Sequence, residues 1–326
     1  MFLFFVALIA CVLTTFLAYN LSALAYRFGI LDHPNTAIKK HTKSTPYLGG
    51  VAVYLSFLIV TLSLLSLEPQ PILFFIGLTV LLLVGLIDDL VLLKPFHKLI
   101  GQAVASLIFL CAQLYIPFDI LPSYASLPLS FIWFLTLSNA FNLIDIMDGL
   151  ATTVSLTSSL FFLIIALLQH ASTASFVLAA FMGSLAGFLV LNKPRAQMYL
   201  GDAGSLFIGG FLSAQPFFLH WGQTQIVNFL IPILFLFIPL VELGMLIVIR
   251  TYKGIPFYLG SRDHFAHFLL DKRWSVVSIL IFIFLTSSLF GALGVAYYLD
   301  ILTTLTFLLS VVVLLVAYLC LVYKTI

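Results

Sequence analysis

The stretch PLSFIWFLTLSNAFNLIDIMDGLA, residues 128–151, begins apolar and then brings a polar residue back at every third place. Asn139, Asn142, Asp145 and Asp148 are separated by apolar residues, and Gly149 follows them. On an α-helix each three-residue step falls ~60° short of a full turn, so the four span roughly half the circumference. The pattern predicts a membrane helix that ends in a stripe of two amides and two carboxylates. An Asp at mid-membrane costs ~2.5–3.5 kcal/mol on insertion scales, so such groups face a cation, a partner or a wet cavity. A helix end that simply reaches water is the plainer alternative, and two amides in register with two acids weigh against it.

The chain around this stretch is of the same kind. Of its 326 residues, 63% are apolar and 8% charged, with a mean hydropathy of +1.21. Soluble domains carry about 25% charged residues, so this chain belongs in a bilayer. A net charge of +2 gives no reason to expect a nucleic-acid partner. Cys11, Cys111 and Cys320 lie far apart in apolar runs and read as buried small hydrophobes, not as a disulfide or thiolate metal site.

Apolar runs predict eleven helices, at roughly 2–25, 47–66, 71–87, 98–116, 128–144, 150–169, 172–191, 202–220, 225–249, 274–298 and 300–322. The fold class expected is all-α: a polytopic membrane protein of about eleven transmembrane helices, in one domain spanning 1–326, with its active site on the cytoplasmic face. Ala23-Leu24-Ala25 resembles a cleavage site, but no positive charge precedes the first run and Arg27 follows it. That run therefore reads as a retained helix with its N-terminus outside. Eleven spans starting outside would place all 14 Lys and Arg residues in cytoplasmic segments, as the positive-inside rule requires. The C-terminus is then cytoplasmic.

Five aspartates fall at expected cytoplasmic helix ends: Asp88, Asp89, Asp145, Asp148 and Asp202. In IDDLVLLKPFHKLIGQ, residues 87–102, an acidic pair precedes Lys94 and Lys98. Neighbouring helical residues point ~100° apart, so one acid would face a site and the other a lysine or a metal-bound water. In NKPRAQMYLGDAGS, residues 192–205, Asp202 sits among glycines at the mouth of the eighth helix. A helix N-terminus favours anions, so a carboxylate there suggests an anion bridged by a hard cation such as Mg²⁺; a simple helix cap is the alternative. SRDHFAHF, residues 261–268, carries Arg262, His264 and His267 in a basic loop suited to phosphate. KKHTKSTPYLGG, residues 39–50, carries Lys39, Lys40, His41 and Lys43, and a run of lysines beside a membrane is more often a lipid contact or topology signal than catalytic. Clustered acids with lysines, an arginine and histidines suit Mg²⁺-dependent chemistry on phosphates.

TPYLGG, IDDLVLLKPFHKLIGQ, NAFNLIDIMDGLA and NKPRAQMYLGDAGS, with the histidine loop as a fifth piece, together resemble the polyprenyl-phosphate N-acetylhexosamine-1-phosphate transferases. The resemblance covers nearly the whole chain. It implies transfer of a sugar 1-phosphate from a UDP-sugar to a membrane polyprenyl phosphate, with release of UMP, at the start of cell-envelope glycan synthesis. It implies a bacterial inner-membrane location and Mg²⁺, with Mn²⁺ as a substitute; a homodimer is allowed for. By matching position, Asp202 would be a metal ligand with Asp145 beside it, and Asp88 the base for the lipid phosphate with Asp89 in support. Asn142, Asp145 and Asp148 would shape the nucleotide site, Tyr199 would stack on uracil, and Lys98 would hold phosphate. Lys43, Asn192, Arg262, His264 and His267 would complete substrate binding, the histidines at the donor's diphosphate or sugar. Ile146 stands where the family often has Gly, and HFAH lacks one of the family's frequent histidines, which disfavours a large peptide-bearing donor. The rival reading is a secondary transporter, which would place acids near the midplane and show inverted repeats; only Glu242 lies deep in a run, and no repeat is detectable.

Overall fold

A computed structural model describes residues 1–32, 44–63, 65, 69–117, 120–221, 226–256 and 263–323. Lys43 and Arg262 lie outside the described residues. Each of the eleven expected helical stretches holds a helix, in chain order. They are α1 (Phe2–Phe28), α2 (Gly49–Leu62), α3 (Pro69–Val91), α4 (Pro95–Cys111), α5 (Ser123–Ile144), α6 (Leu150–Leu168), α7 (Ser172–Asn192), α8 (Gly201–Phe218), the pair α9 (Leu230–Phe235) and α10 (Phe237–Tyr252), α12 (Val276–Tyr298) and α13 (Thr304–Tyr323). A short helix between α10 and α12, α11 (Phe265–Asp271), is not among those expected.

The chain is a multi-pass membrane protein, but the count of eleven spans is not reached by length and composition. Seven of the described helices are long and apolar enough to cross a bilayer, or eight if the bent pair is one span. Two more are apolar but short, α2 and α4, at 14 and 17 residues. Helix α8 has the length, at 18 residues, but is not apolar enough to count among the seven, and every residue from Ala203 to Pro216 is buried in protein. A helix shielded in this way needs less hydrophobicity, and α8 carries Gly209, Gly210, Ser213 and Gln215. Around it pack α2, α3 and α5, with a cluster of rings (Phe57, Phe74, Phe181, Phe207 and Phe211) filling the interface. At the periphery, α13 has only 17% of its span buried.

The ninth expected helix is broken. The segment before Leu236 and α10 are bent by 88°. Pro239 supplies the reason, since it lacks an N–H and its ring would clash with the carbonyl four residues earlier, that of Phe235.

The polar stripe is also divided. Helix α5 stops at Ile144, and Asp145 caps it with φ −81 and ψ 56. The chain then reverses within five residues into α6, with Gly149 left-handed at φ 74. Asn139 and Asn142 stay on the helix, while Asp145 and Asp148 belong to the turn, so the four do not share one helical face.

The all-α expectation also missed one small ladder, in which Leu31–Asp32 pairs antiparallel with Thr45–Pro46. It holds the start of α2 near the α7–α8 connection. Tyr199 N donates to Pro46 O at 2.8 Å, Gly49 N to Tyr199 O at 3.0 Å and Gly50 N to Leu200 O at 2.8 Å.

Candidate active site

The end of α3, the first turn of α4, the end of α5 and the first turn of α8 meet at one place. Glycine makes the approach possible. A Cβ on Gly85 would fall 2.3 Å from Asp202 O, and one on Gly201 would fall 2.7 Å from both Asp89 Oδ2 and Tyr47 O. Gly201 is also left-handed, at φ 73, a conformation other residues adopt only with strain.

Lys98 stands at the centre. Its Nζ lies 3.0 Å from Asp88 Oδ2, donates to Asn142 Oδ1 at 3.0 Å, and forms an ion pair with Asp202 Oδ2. Asn142 Nδ2 donates to Asp202 Oδ1 at 2.8 Å and contacts Ser205 Oγ at 2.9 Å. One turn deeper, Gln102 and Asn139 exchange two amide hydrogen bonds at 3.2 and 2.9 Å. The adjacent acids diverge as their helical spacing demands. Asp88 meets Lys98 and accepts the Leu93 N–H at 2.6 Å. Asp89 turns the other way and accepts the N–H groups of Asp202 and Ala203. The side chains of Lys98 and Asp88 are 15% and 13% exposed, but that of Asp202 is 33% exposed, so a ligand reaches Asp202 first.

Asp145 makes no side-chain hydrogen bond or ion pair among the described residues. Burial pushes its carboxyl up to about 8, and the negative charges of Asp202, Asp89 and Asp148 add to the rise. Lys98 pairs with Asp88 and Asp202, while Asp145 feels the negative charge of Asp202, Asp89 and Asp148, and protonation or a cation relieves that surplus. The described residues contain no cluster of three or more acids, histidines or cysteines that would cage an ion alone. Magnesium does not require one, since it keeps several waters and uses one or two carboxylates beside substrate phosphates.

The sequence profile of "Glycosyl transferase family 4" matches residues 71–220, the span that carries all of these side chains. A probable undecaprenyl-phosphate N-acetylglucosaminyl 1-phosphate transferase of Bacillus subtilis is 26% identical, over 81% of this chain and 77% of its own. A phospho-N-acetylmuramoyl-pentapeptide-transferase of Carboxydothermus hydrogenoformans is 29% identical, over 73% and 80%. The undecaprenyl-phosphate alpha-N-acetylglucosaminyl 1-phosphate transferase of Thermotoga maritima is 31% identical, over 86% of this chain and 87% of its own. The chain belongs to glycosyl transferase family 4.

In this family 4 chain the other residues singled out from the sequence lie around the central cluster, not in it. Asp148 Oδ2 accepts the N–H groups of Arg195 and Ala196, both at 3.0 Å, and so holds a turn in which Arg195 is left-handed at φ 69. Asn192 Oδ1 accepts from Gly149 N and Thr152 Oγ1, both at 3.1 Å, while its Nδ2 donates to Met198 O at 3.1 Å. These two side chains therefore tie the α5–α6 turn to the α7–α8 connection. Tyr199 lies in that connection, and burial raises its phenol above the ordinary value. His264 is buried and paired with Glu242 of α10. The alternative reading of Asp202 as a simple cap of α8 does not hold: no side chain caps that helix locally, and Asp89 does so from α3. Gln102 and Ser205 join the cluster without a signal of their own in the sequence, although each lies one turn from a named residue on its own helix.

Proposed function

We propose that this chain transfers an N-acetylhexosamine 1-phosphate from a UDP-sugar to a membrane polyprenyl phosphate and releases UMP. The observation that carries the reading is the Lys98 ammonium held between Asp88, Asp202 and Asn142 at the meeting of four helix ends. The names of the family 4 relatives supply the acceptor and the sugar phosphate class. Nothing in the fold or among those relatives supports a transporter.

In this reading an oxygen of the lipid phosphate attacks the sugar-bearing phosphorus of the donor. The bond from that phosphorus to the bridging oxygen breaks, and the bridging oxygen leaves with UMP. Lys98 compensates phosphate charge, and Asp88 accepts the proton that the lipid phosphate must lose to attack as a dianion. Asp89 has both oxygens engaged by backbone, so it positions Asp202 and does not touch substrate. Asp202 and the unpartnered Asp145 would hold Mg²⁺, which when bound supplies charge neutralisation of the diphosphate. The N-terminus lies outside and the C-terminus in the cytoplasm of a bacterial inner membrane.

Purified protein offered polyprenyl phosphate and a panel of UDP-N-acetylhexosamines should release UMP. Asp202→Asn should abolish turnover and weaken Mg²⁺ dependence while melting in detergent stays close to wild type. Near-normal turnover of that variant at saturating Mg²⁺ would remove Asp202 from the chemistry.

A further inference from the structure

Lys98 meets side chains from three other helices, but the helix that carries it is held narrowly. The buried residues of α4 are Gln102, Ala105, Ser106 and Phe109, while Phe96, Leu99 and Leu107 turn away from the bundle. Two of the four are thus polar and one is a lone methyl group. At the far end of α4, Phe109 is lodged among rings, 4.9 Å from Phe134 and 6.0 Å from Phe74 between centroids. At the end that carries Lys98, the specific contact with α5 is made by amides. Gln102, 1% exposed, lies one turn beyond Lys98, and Asn139 lies one turn before Asn142.

Gln102 Nε2 donates to Asn139 Oδ1 at 3.2 Å, and Asn139 Nδ2 donates to Gln102 Oε1 at 2.9 Å. Asn139 Nδ2 also donates to Leu135 O at 2.9 Å. A carbonyl only accepts, so Leu135 O requires the NH₂ of Asn139 on its side and thereby decides which way both amides face. A pair satisfied in this way has one register. Moving α4 by a residue would leave two amides without partners in an apolar seam. Hydrogen bonds between membrane helices contribute little to stability, and a buried polar pair is better attested as a device that fixes register. The register fixed here is the one in which Lys98 Nζ lies 3.0 Å from both Asn142 Oδ1 and Asp88 Oδ2.

We infer that Gln102 and Asn139 are positioning residues: their amide pair sets α4 against α5 and so aims the Lys98 ammonium at the reacting phosphates. The inference rests on the transferase reading above. Neither amide touches substrate, and both act through Lys98.

Turnover and melting in detergent separate this role from a merely structural one. Gln102→Leu or Asn139→Leu alone strands one amide, and should lower both the melting temperature and kcat, the latter about tenfold. With both residues replaced by leucine no amide of the pair is left unpaired, so melting should return close to the wild-type value. Its kcat should stay about tenfold down, with KM for the UDP-sugar within about threefold, because the lost alignment acts in the transition state. The exchange variant, Gln102→Asn with Asn139→Gln, keeps two amides and the summed side-chain length. It should bring kcat back to within about threefold of wild type, since the two positions are coupled. A double-leucine variant with wild-type kcat overturns the inference, and so does an exchange variant as slow as Gln102→Leu. The transferase reading stands in both cases. If one of these two variants does not fold, the other decides. A wild-type protein that transfers no sugar phosphate overturns the transferase reading itself.

Discussion

The Asp89 carboxylate accepts the backbone N–H groups of Asp202 and Ala203 at 2.9 and 3.0 Å, from 113 and 114 residues away in the chain. A helix begins with N–H groups that have no partner in the helix, and α8 has no local side chain to receive them. Asp89 is therefore the cap of α8, supplied from α3. The contact fixes where Asp202 emerges and brings its side chain to Lys98.

Asp89→Asn should be destabilising. The amide keeps one acceptor oxygen but turns an NH₂ group toward a backbone N–H, leaving that donor unpaired. A buried unsatisfied donor costs roughly 1–3 kcal/mol, which would appear as a lower melting temperature in detergent. Turnover should fall with it, since Asp202 loses its support. A variant that melts like wild type would show that α8 does not depend on this cap.

Asp145→Asn should stabilise the metal-free protein at alkaline pH. The folded-state pKa of Asp145 is raised from 3.8 to about 8, so the folded chain holds a proton that the unfolded chain releases. Stability then falls as pH climbs between those two values and levels off above the upper one. The variant should melt higher than wild type at pH 8.5 and alike near pH 4. Added Mg²⁺ should narrow the gap at pH 8.5 if Asp145 holds the ion. A gap that is the same at both pH values would mean the carboxyl is not perturbed.

Asp88→Asn should lose activity at pH 7 and recover part of it at pH 9. The second proton of a phosphomonoester leaves with a pKa near 6, so the acceptor is fully dianionic at the higher pH and needs no base. Binding of the UDP-sugar should survive. A variant equally inactive at both pH values would place Asp88 with the Lys98 ion pair alone and not with the proton.

Membrane orientation is testable at two exposed tyrosines. Tyr124, 82% exposed at the start of α5, should label from outside when replaced by Cys in a cysteine-free background. Tyr252→Cys, at a site 93% exposed at the end of α10, should label only after the membrane is opened. The opposite pattern would invert the topology.

The eleven helical runs, the bilayer environment and the identity of the acids were legible in the sequence alone. Hydrophobic length and the cost of a charge in lipid are sums over neighbouring residues, and they can be read without knowing what lies beside each helix. The divergence of Asp88 and Asp89 was legible for the same reason, since helical spacing sets it. Their partners were not legible: the Asp89 cap, the Lys98 bridge to Asp202 and the Glu242–His264 pair join residues far apart in the chain. The departure of Asp148 from the α5 stripe, and its capture of the Arg195 and Ala196 N–H groups, was equally hidden. So was the low hydrophobicity that α8 tolerates, because only packing reveals that other helices shield it from lipid. Local chemistry decided which segments enter the membrane, and tertiary packing decided which carboxylates remain open to a ligand, because a backbone N–H or an ammonium brought in from another helix satisfies one acid and leaves its neighbour exposed.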